Sequence, residues 1–251
     1  MSKLTNKVAI VTGASKGIGA SIAQHFAAAG AKVVVNYASS ATGAEKIVKS
    51  INDNGGTAIA IQGDVSKEAD VERLFAETAK AFGGLDILVN NAGIYQHAPI
   101  EQVSAESFHQ QFSVNVLGSL FAIQASLKLF GDKGGSIINI SSEAGKMPMA
   151  AGSVYSATKA ALDAVTIALS KEFSGRKIRI NSILPGIVET EGTHAAGFIG
   201  SETEAKLIAT TPLGRSGQPA DIAKVAVFLA SEDAGWITGE KISVSGGVYG
   251  V

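Results

Sequence analysis

Tyr155 and Lys159 stand four residues apart in the stretch VYSATKAA, Val154 to Ala161. On a helix that spacing sets both side chains on one face, with Cβ atoms about 6 Å apart. One is a weak acid and the other a cation. A free phenol has a pKa of about 10, too high for ready proton exchange near neutrality. A cation within about 4–6 Å favours the phenolate and lowers that value. The pair could therefore trade a proton with an oxygen whose carbon gains or loses hydride. Ser142, at the end of the apolar run SIINISS, could donate to the same oxygen where charge develops. Packing offers a plainer account, in which Lys159 pairs with Asp163 at i+4 and the Tyr155 ring fills space with its hydroxyl satisfied.

A second group of residues could hold a phosphate. TGASKGIGASIA follows the first apolar run, and its loop carries Gly13, Ser15, Lys16, Gly17, Ile18 and Gly19. Glycine lets backbone N–H groups approach a phosphate, and the helix that follows presents its positive end. The spacing is G-x-x-x-G-x-G, which differs from the G-x-G-x-x-G fingerprint. The same loop also satisfies G-x-S-x-G at Gly13–Gly17, the nucleophile elbow of serine hydrolases, although neither Asp163 nor His194 sits plainly after a late strand, where a triad would need them. A glycine turn that only packs helix on sheet is a third reading.

The second strand ends Val35-Asn36-Tyr37-Ala38-Ser39-Ser40, and the next carboxylate is Glu45. An NAD site usually has an acid there for the ribose hydroxyl. Its absence, with Lys16, Ser39 and Ser40 at hand for a 2′-phosphate, favours NADP(H) and leaves NAD(H) open. Asp64-Val65 is placed to meet the adenine edge, or Asp64 or Ser66 caps the next helix. In ILVNNAG, Asn90 and Asn91 can tie strand ends together, while Ala92 and Gly93 leave room for a ribose. Asn115, inside the apolar helical stretch SVNVLG, either bonds backbone and bends its helix or lines a site.

These residues need strand ends and helix starts to position them. Nearly unbroken apolar runs predict strands at Val8–Thr12, Lys32–Tyr37, Thr57–Gln62, Asp86–Asn90, Ser136–Ser141, Arg179–Leu184 and Lys241–Val244, buried on both faces. Between them, helices are expected at Ile18–Ala29, Ala41–Asn54, Glu68–Phe82, Ala105–Leu129, Val154–Phe173 and Pro219–Leu229. Alternating strands and helices make an α/β doubly wound parallel sheet in a single domain. Gly186–Thr211, which lacks strong periodicity, is a candidate lid over the site.

Composition narrows the partners. Of the 251 residues, 46% are hydrophobic and 17% charged, enough for a large core plus apolar surface buried in an oligomer. A net charge of −1 without a Lys/Arg block argues against nucleic acid and anionic membrane. With no cysteine there is no disulfide or thiolate chemistry. No uninterrupted apolar run approaches the roughly 18 residues of a membrane span. The opening MSKLTN leads straight into a strand rather than through a secretory leader, so a soluble, cytoplasmic protein is expected.

Taken in order, TGASKGIG, NNAG, Ser142 thirteen residues before Tyr155, YSATK and LPGIVET resemble the short-chain dehydrogenase/reductase family, from Val8 through the closing VSGG at Val244–Gly247. The resemblance implies a seven-stranded Rossmann-type sheet of order 3-2-1-4-5-6-7. It implies a catalytic tetrad of Asn115, Ser142, Tyr155 and Lys159, with Tyr155 as acid/base and Ser142 orienting the carbonyl. Lys159 would hold the nicotinamide ribose and lower the tyrosine pKa, and Asn115 would anchor a water in a proton relay. Ile187 and Val188, after Pro185-Gly186, would contact the nicotinamide, with Thr190 reaching its carboxamide or the pyrophosphate. A homotetramer built through the helices around Ala105–Leu129 and Val154–Phe173 is implied, and no metal is required.

The family members most similar in motif are 3-oxoacyl-acyl-carrier-protein reductases, glucose dehydrogenases and carbonyl reductases. Lys133 and Arg176 lie roughly where the first group has basic residues for its carrier protein, or are simply solvated loop charges. THAAGFIG, Thr193–Gly200, has no charged cluster to clamp an anionic substrate, so a neutral ketone or alcohol is expected. The expected activity is NADPH-dependent interconversion of a ketone and a secondary alcohol. A non-catalytic dinucleotide sensor would be marked by loss of the tyrosine or the lysine, and both are present.

Overall fold

Segments such as VAIV and ILVN are rich in branched residues and buried at every position, which suits strands covered on both faces. In the computed structural model, which describes residues 2–173 and 175–248, they are β1 (Val8–Val11) and β4 (Ile87–Asn90). With β2 (Lys32–Tyr37), β3 (Thr57–Gln62), β5 (Gly135–Ile140), β6 (Ile178–Pro185) and β7 (Lys241–Val244) they form one parallel sheet. Its order is β3-β2-β1-β4-β5-β6-β7, as the resemblance implied. The strand order reverses between β1 and β4, and the crevice beyond their carboxyl ends is where such sheets bind ligands.

Alternate strand residues feed two apolar layers. Val11, Val35, Val89 and Ile138 pack under α1 (Gly17–Ala28), α2 (Ala41–Asp53) and α9 (Pro219–Ala230). Ile10, Val34, Leu88 and Ile137 face α3 (Glu68–Phe82), α5 (Gly118–Ser126) and α6 (Ser153–Glu172). Among the described residues no helix is long and apolar enough to cross a membrane.

Most predicted elements recur within a residue or two, but two segments differ. The helix expected over Ala105–Leu129 is α4 (Ala105–Phe112), a π-helical turn at Ser113–Leu117, and α5. Asn115 sits in that wide turn, with its side chain bonded to the backbone of Ile94. The segment 186–211 is structured. It holds α7 (Glu191–Ala195), capped by Thr190, and α8 (Glu202–Thr210), capped by Ser201. Ser201-x-x-Glu204 is a capping pattern that the sequence displays, and Thr190 is of a residue type favoured at an N-cap.

Candidate active site

The loop between β1 and α1 is built around close backbone approaches. Gly13 has φ +61°, and a Cβ there would stand 2.8 Å from Ala92 Cα. A Cβ at Gly19 would stand 2.4 Å from Asn91 Nδ2. Asn91 explains the crowding, since its Nδ2 donates to Thr12 O at 2.9 Å and Gly13 O at 3.1 Å. Thr12 Oγ1 in turn accepts from the amides of Asn91 and Ala92, so the ends of β1 and β4 are stitched together. Asn90 performs the parallel task on the other side, donating to Asn139 Oδ1 at 2.9 Å.

Asn36 is buried, and its amide is used inside the protein. Its Oδ1 accepts from Gly13 N, while Nδ2 donates to the Ile61 and Gly63 carbonyls. It shapes the glycine loop from behind. Lys16, Ala38, Ser39 and Ser40 are exposed at the rim, and Tyr37 is packed partly into the core. Asp64 closes a local turn by accepting from the amide and hydroxyl of Ser66, so it does not cap α3. Val65 is buried against Gly118. Together the glycine loop, the start of α1 with no acid in its first turn and a β2 end without a carboxylate fit a phosphorylated dinucleotide.

The proposed chemical groups converge across the crevice. Ser142 lies just past β5, and Tyr155 is in the first turn of α6. Lys159, one turn on and only 6% exposed, donates from Nζ to Ile140 O at 2.9 Å. That ammonium lies 5.7 Å from the Tyr155 ring centroid. A Cβ at Gly93 would be 3.4 Å from Asn115 Oδ1 and 3.6 Å from Lys159 Nζ, so the NNAG glycine opens onto both. Asn115 accepts from Ile94 N and donates to Ile94 O, each at 2.8 Å, and donates to Thr158 Oγ1 at 3.0 Å. Both amide hydrogens are therefore committed to holding the post-β4 loop against α6.

Electrostatics here depart from expectation. Burial pushes the Tyr155 phenol above its usual value; the Ser142 hydroxyl pulls it down and neighbouring Tyr95 adds to the rise. The acidified phenol that the lysine was expected to produce is not found. Instead burial draws Lys159 down to about 8, with the Asp163 carboxylate working to keep it charged. Asp163 is itself raised by burial, against the pull of Ser141, Ser182, Lys241 and Lys146.

Downstream of β6, Gly186 lies close against Ser245, where a Cβ would meet Ser245 Cα at 2.9 Å. Pro185 ends the strand, Ile187 accepts from Gly217 N, and Val188 is buried in the core. Thr190 faces Gly17, its Cγ2 standing 3.5 Å from where a Cβ on that glycine would be. A contact no motif announced joins the same segments: Gly17 N donates to Glu191 Oε2 at 3.0 Å. Sequence reading also passed over Tyr95 and His97, whose ring centroids lie 6.4 and 5.9 Å from that of Tyr155.

Two alternative readings fail on geometry. His194 is engaged by Glu189, Nε2 to Oε1 at 2.9 Å, while Asp163 lies buried one turn beyond Lys159, so no triad assembles on Ser15. Lys133 and Arg176 precede β5 and β6, at the amino ends of parallel strands. The crevice lies beyond the carboxyl ends, so these two do not frame its entrance.

Comparison with known proteins agrees with this geometry. A family model described as enoyl-(acyl carrier protein) reductase matches residues 13–249. An uncharacterized oxidoreductase of Methylorubrum extorquens is 57% identical, covering 99% of this chain and 100% of that one. Versicolorin reductase 1 of Aspergillus parasiticus is 38% identical, covering 98% of each. The angucycline C-6 ketoreductase LanV, solved with bound NADP, superposes with a TM-score of 0.91 at 38% identity, covering 98% of this chain and 96% of that one. Sheet order, glycine loop and matched length together place this chain in the short-chain dehydrogenase/reductase family.

Proposed function

We propose that the protein is an NADP(H)-dependent oxidoreductase that interconverts a neutral ketone and a secondary alcohol. The observation that carries this is the meeting of Ser142, Tyr155 and Lys159 beside Gly93, at the carboxyl edge of β5 and β4. The nicotinamide, when bound, supplies or accepts the hydride. Tyr155 supplies the proton. The phenol's pKa is raised by burial, so it carries its proton. What draws that proton off is the alkoxide character of the substrate oxygen as hydride arrives at its carbon, since an alkoxide is a far stronger base than an ordinary phenolate. Ser142 orients that oxygen, and Lys159, still mainly charged at neutrality with a pKa of about 8, stabilises negative charge developing nearby. Asn115 holds the Ile94 loop and, through Thr158, the helix carrying the lysine. Lys16, Ser39 and Ser40 are the groups to meet a 2′-phosphate, with Ser15, Gly17, Ile18, Asp64, Val65, Ala92, Ile187, Val188 and Thr190 around the rest of the dinucleotide.

Three rings line the substrate side. Tyr95, His97 and Tyr155 stand with centroids 5.9–6.4 Å apart and planes tilted by 49–75°. Faces and edges so arranged favour a ring-bearing substrate. Support comes from relatives: versicolorin reductase is among them, and a second LanV structure holds NADP with rabelomycin. The segment 186–211 acts as the lid, in a cytoplasmic homotetramer. The test is loss of nicotinamide absorbance with a panel of cyclic and acyclic ketones. Tyr155→Phe is expected to lose about 10²–10⁴-fold in kcat, and retention of wild-type turnover would overturn the mechanism.

A further inference from the structure

The positive end of α1 carries no acid of its own. Its first turn lacks Asp and Glu, and Lys16 at the N-cap makes no side-chain cap bond. The anion found there comes from 174 residues away, where Glu191 Oε2 accepts from Gly17 N at 3.0 Å. We infer that Glu191 is an internal competitor for the cofactor's diphosphate, a strap that must yield when the dinucleotide enters. This rests on the reading of the crevice as a dinucleotide site.

A carboxylate and a phosphate seek the same thing at a helix N-terminus, namely outward-pointing N–H groups and the positive end of the dipole. Gly17 is the first residue of α1, inside the loop that must receive the diphosphate. If Glu191 stays, two anions crowd one helix end; if it leaves, its bond is lost. Either way the negative charge opposes binding. The strap also reaches the substrate side. Glu191 opens α7, and the next residue, Gly192, lies beneath Tyr95, where a Cβ would be 2.8 Å from Tyr95 Oη. Displacing Glu191 thus loosens the segment that abuts the aromatic wall, which makes cofactor binding a precondition for opening that wall to substrate.

Affinity measured by calorimetry tests this without turnover. NADP⁺ is titrated into the wild-type protein, Glu191→Gln and Glu191→Lys, each first shown to keep a cooperative thermal transition. Removing the charge is expected to tighten binding about 3–30-fold, with the lysine variant tighter still. ADP-ribose should show the same gain, while adenosine 2′-monophosphate, which lacks a diphosphate, should bind all three proteins equally. An unchanged or weaker affinity of Glu191→Gln for NADP⁺ overturns the strap, as does an equal gain for the monophosphate. If the wild-type protein binds no nicotinamide nucleotide, the functional reading itself has failed.

Discussion

Lys159 is placed at a cost to the fold. Its ammonium is drawn from an ordinary 10.5 to about 8 by burial, a difference worth about 3 kcal/mol. The folded value lies below the unfolded one, so the cost is fully present below pH 8. It is relieved as pH rises toward 10.5, where the unfolded chain binds more protons. Lys159→Met sheds this cost and gives up the bond to Ile140 O, worth about 1 kcal/mol. The variant should therefore be more stable than wild type by about 1–2 kcal/mol at pH 7, read by urea unfolding, with the advantage gone near pH 10. A less stable variant at pH 7 would show that the ammonium is not desolvated as described. On the proposed mechanism the same charge should limit the rate: turnover should fall as pH rises through about 8 and Lys159 loses its proton. Asp163, on the same face and 5% exposed, holds that proton on, so Asp163→Asn should move the alkaline limb to lower pH. A limb that stayed in place would remove Asp163 from this role.

Elements, more than single residues, decide whether those groups meet, and the β1–α1 junction is the tightest of them. An alanine methyl at Gly19 would lie 2.4 Å from Asn91 Nδ2 and 2.8 Å from Gly13 O, the two ends of the bond that stitches β4 to the glycine loop. Gly19→Ala should cost about 1–3 kcal/mol of stability and weaken nucleotide binding with it, both measurable by NADP⁺ titration against thermal unfolding. Unchanged values would mean that α1 can recede without loss. What was legible in the sequence follows from this kind of constraint. Apolar runs buried on both faces read directly as parallel strands, and glycines and asparagines at their ends marked the crevice, because local chemistry dictates them. The break at Ser113–Leu117 was half legible, since a polar amide in an apolar helix marks a place where the helix is bent, but its partner Ile94, distant in sequence, was not. The phenol's pKa was misjudged for a similar reason. Spacing places the lysine, but burial, which sequence does not display, decides the sign. Lys133 and Arg176 lie exposed at the amino ends of β5 and β6, as solvated loop charges would, and this was legible because each precedes a predicted strand while the crevice lies beyond carboxyl ends. The caps of α7 and α8 were there to be read.

At the scale of the molecule, two of the exposed apolar patches lie on elements that could meet a second copy. On the first, Phe108 and Leu117 are 40% and 42% exposed, next to α6, where Ile167 is 36% exposed. Along α6 the outward residues Ala157, Ala160, Ala164 and Ala168 repeat every three or four positions. A smooth stripe of that kind lets two copies of one helix approach closely across a twofold axis. On the second face, Trp236 is fully exposed beside β7, which pairs only with β6 among the described residues. An open strand edge with an exposed indole invites a second twofold contact. Two independent twofold contacts close into a tetramer of dihedral symmetry. Light scattering should accordingly give close to four times the 25.5 kDa chain mass. Ala164→Glu should break the first contact and Trp236→Ser the second, each leaving dimers, and the double variant should be monomeric. The two dimers should differ in activity. Tyr155 and Lys159 sit on the inner side of the helix whose outer side would form the first contact, so Ala164→Glu should lower turnover while Trp236→Ser leaves it nearly intact. A wild-type monomer in solution would remove the assembly. Equal activity of the two dimers would show instead that α6 keeps its catalytic face without a neighbour.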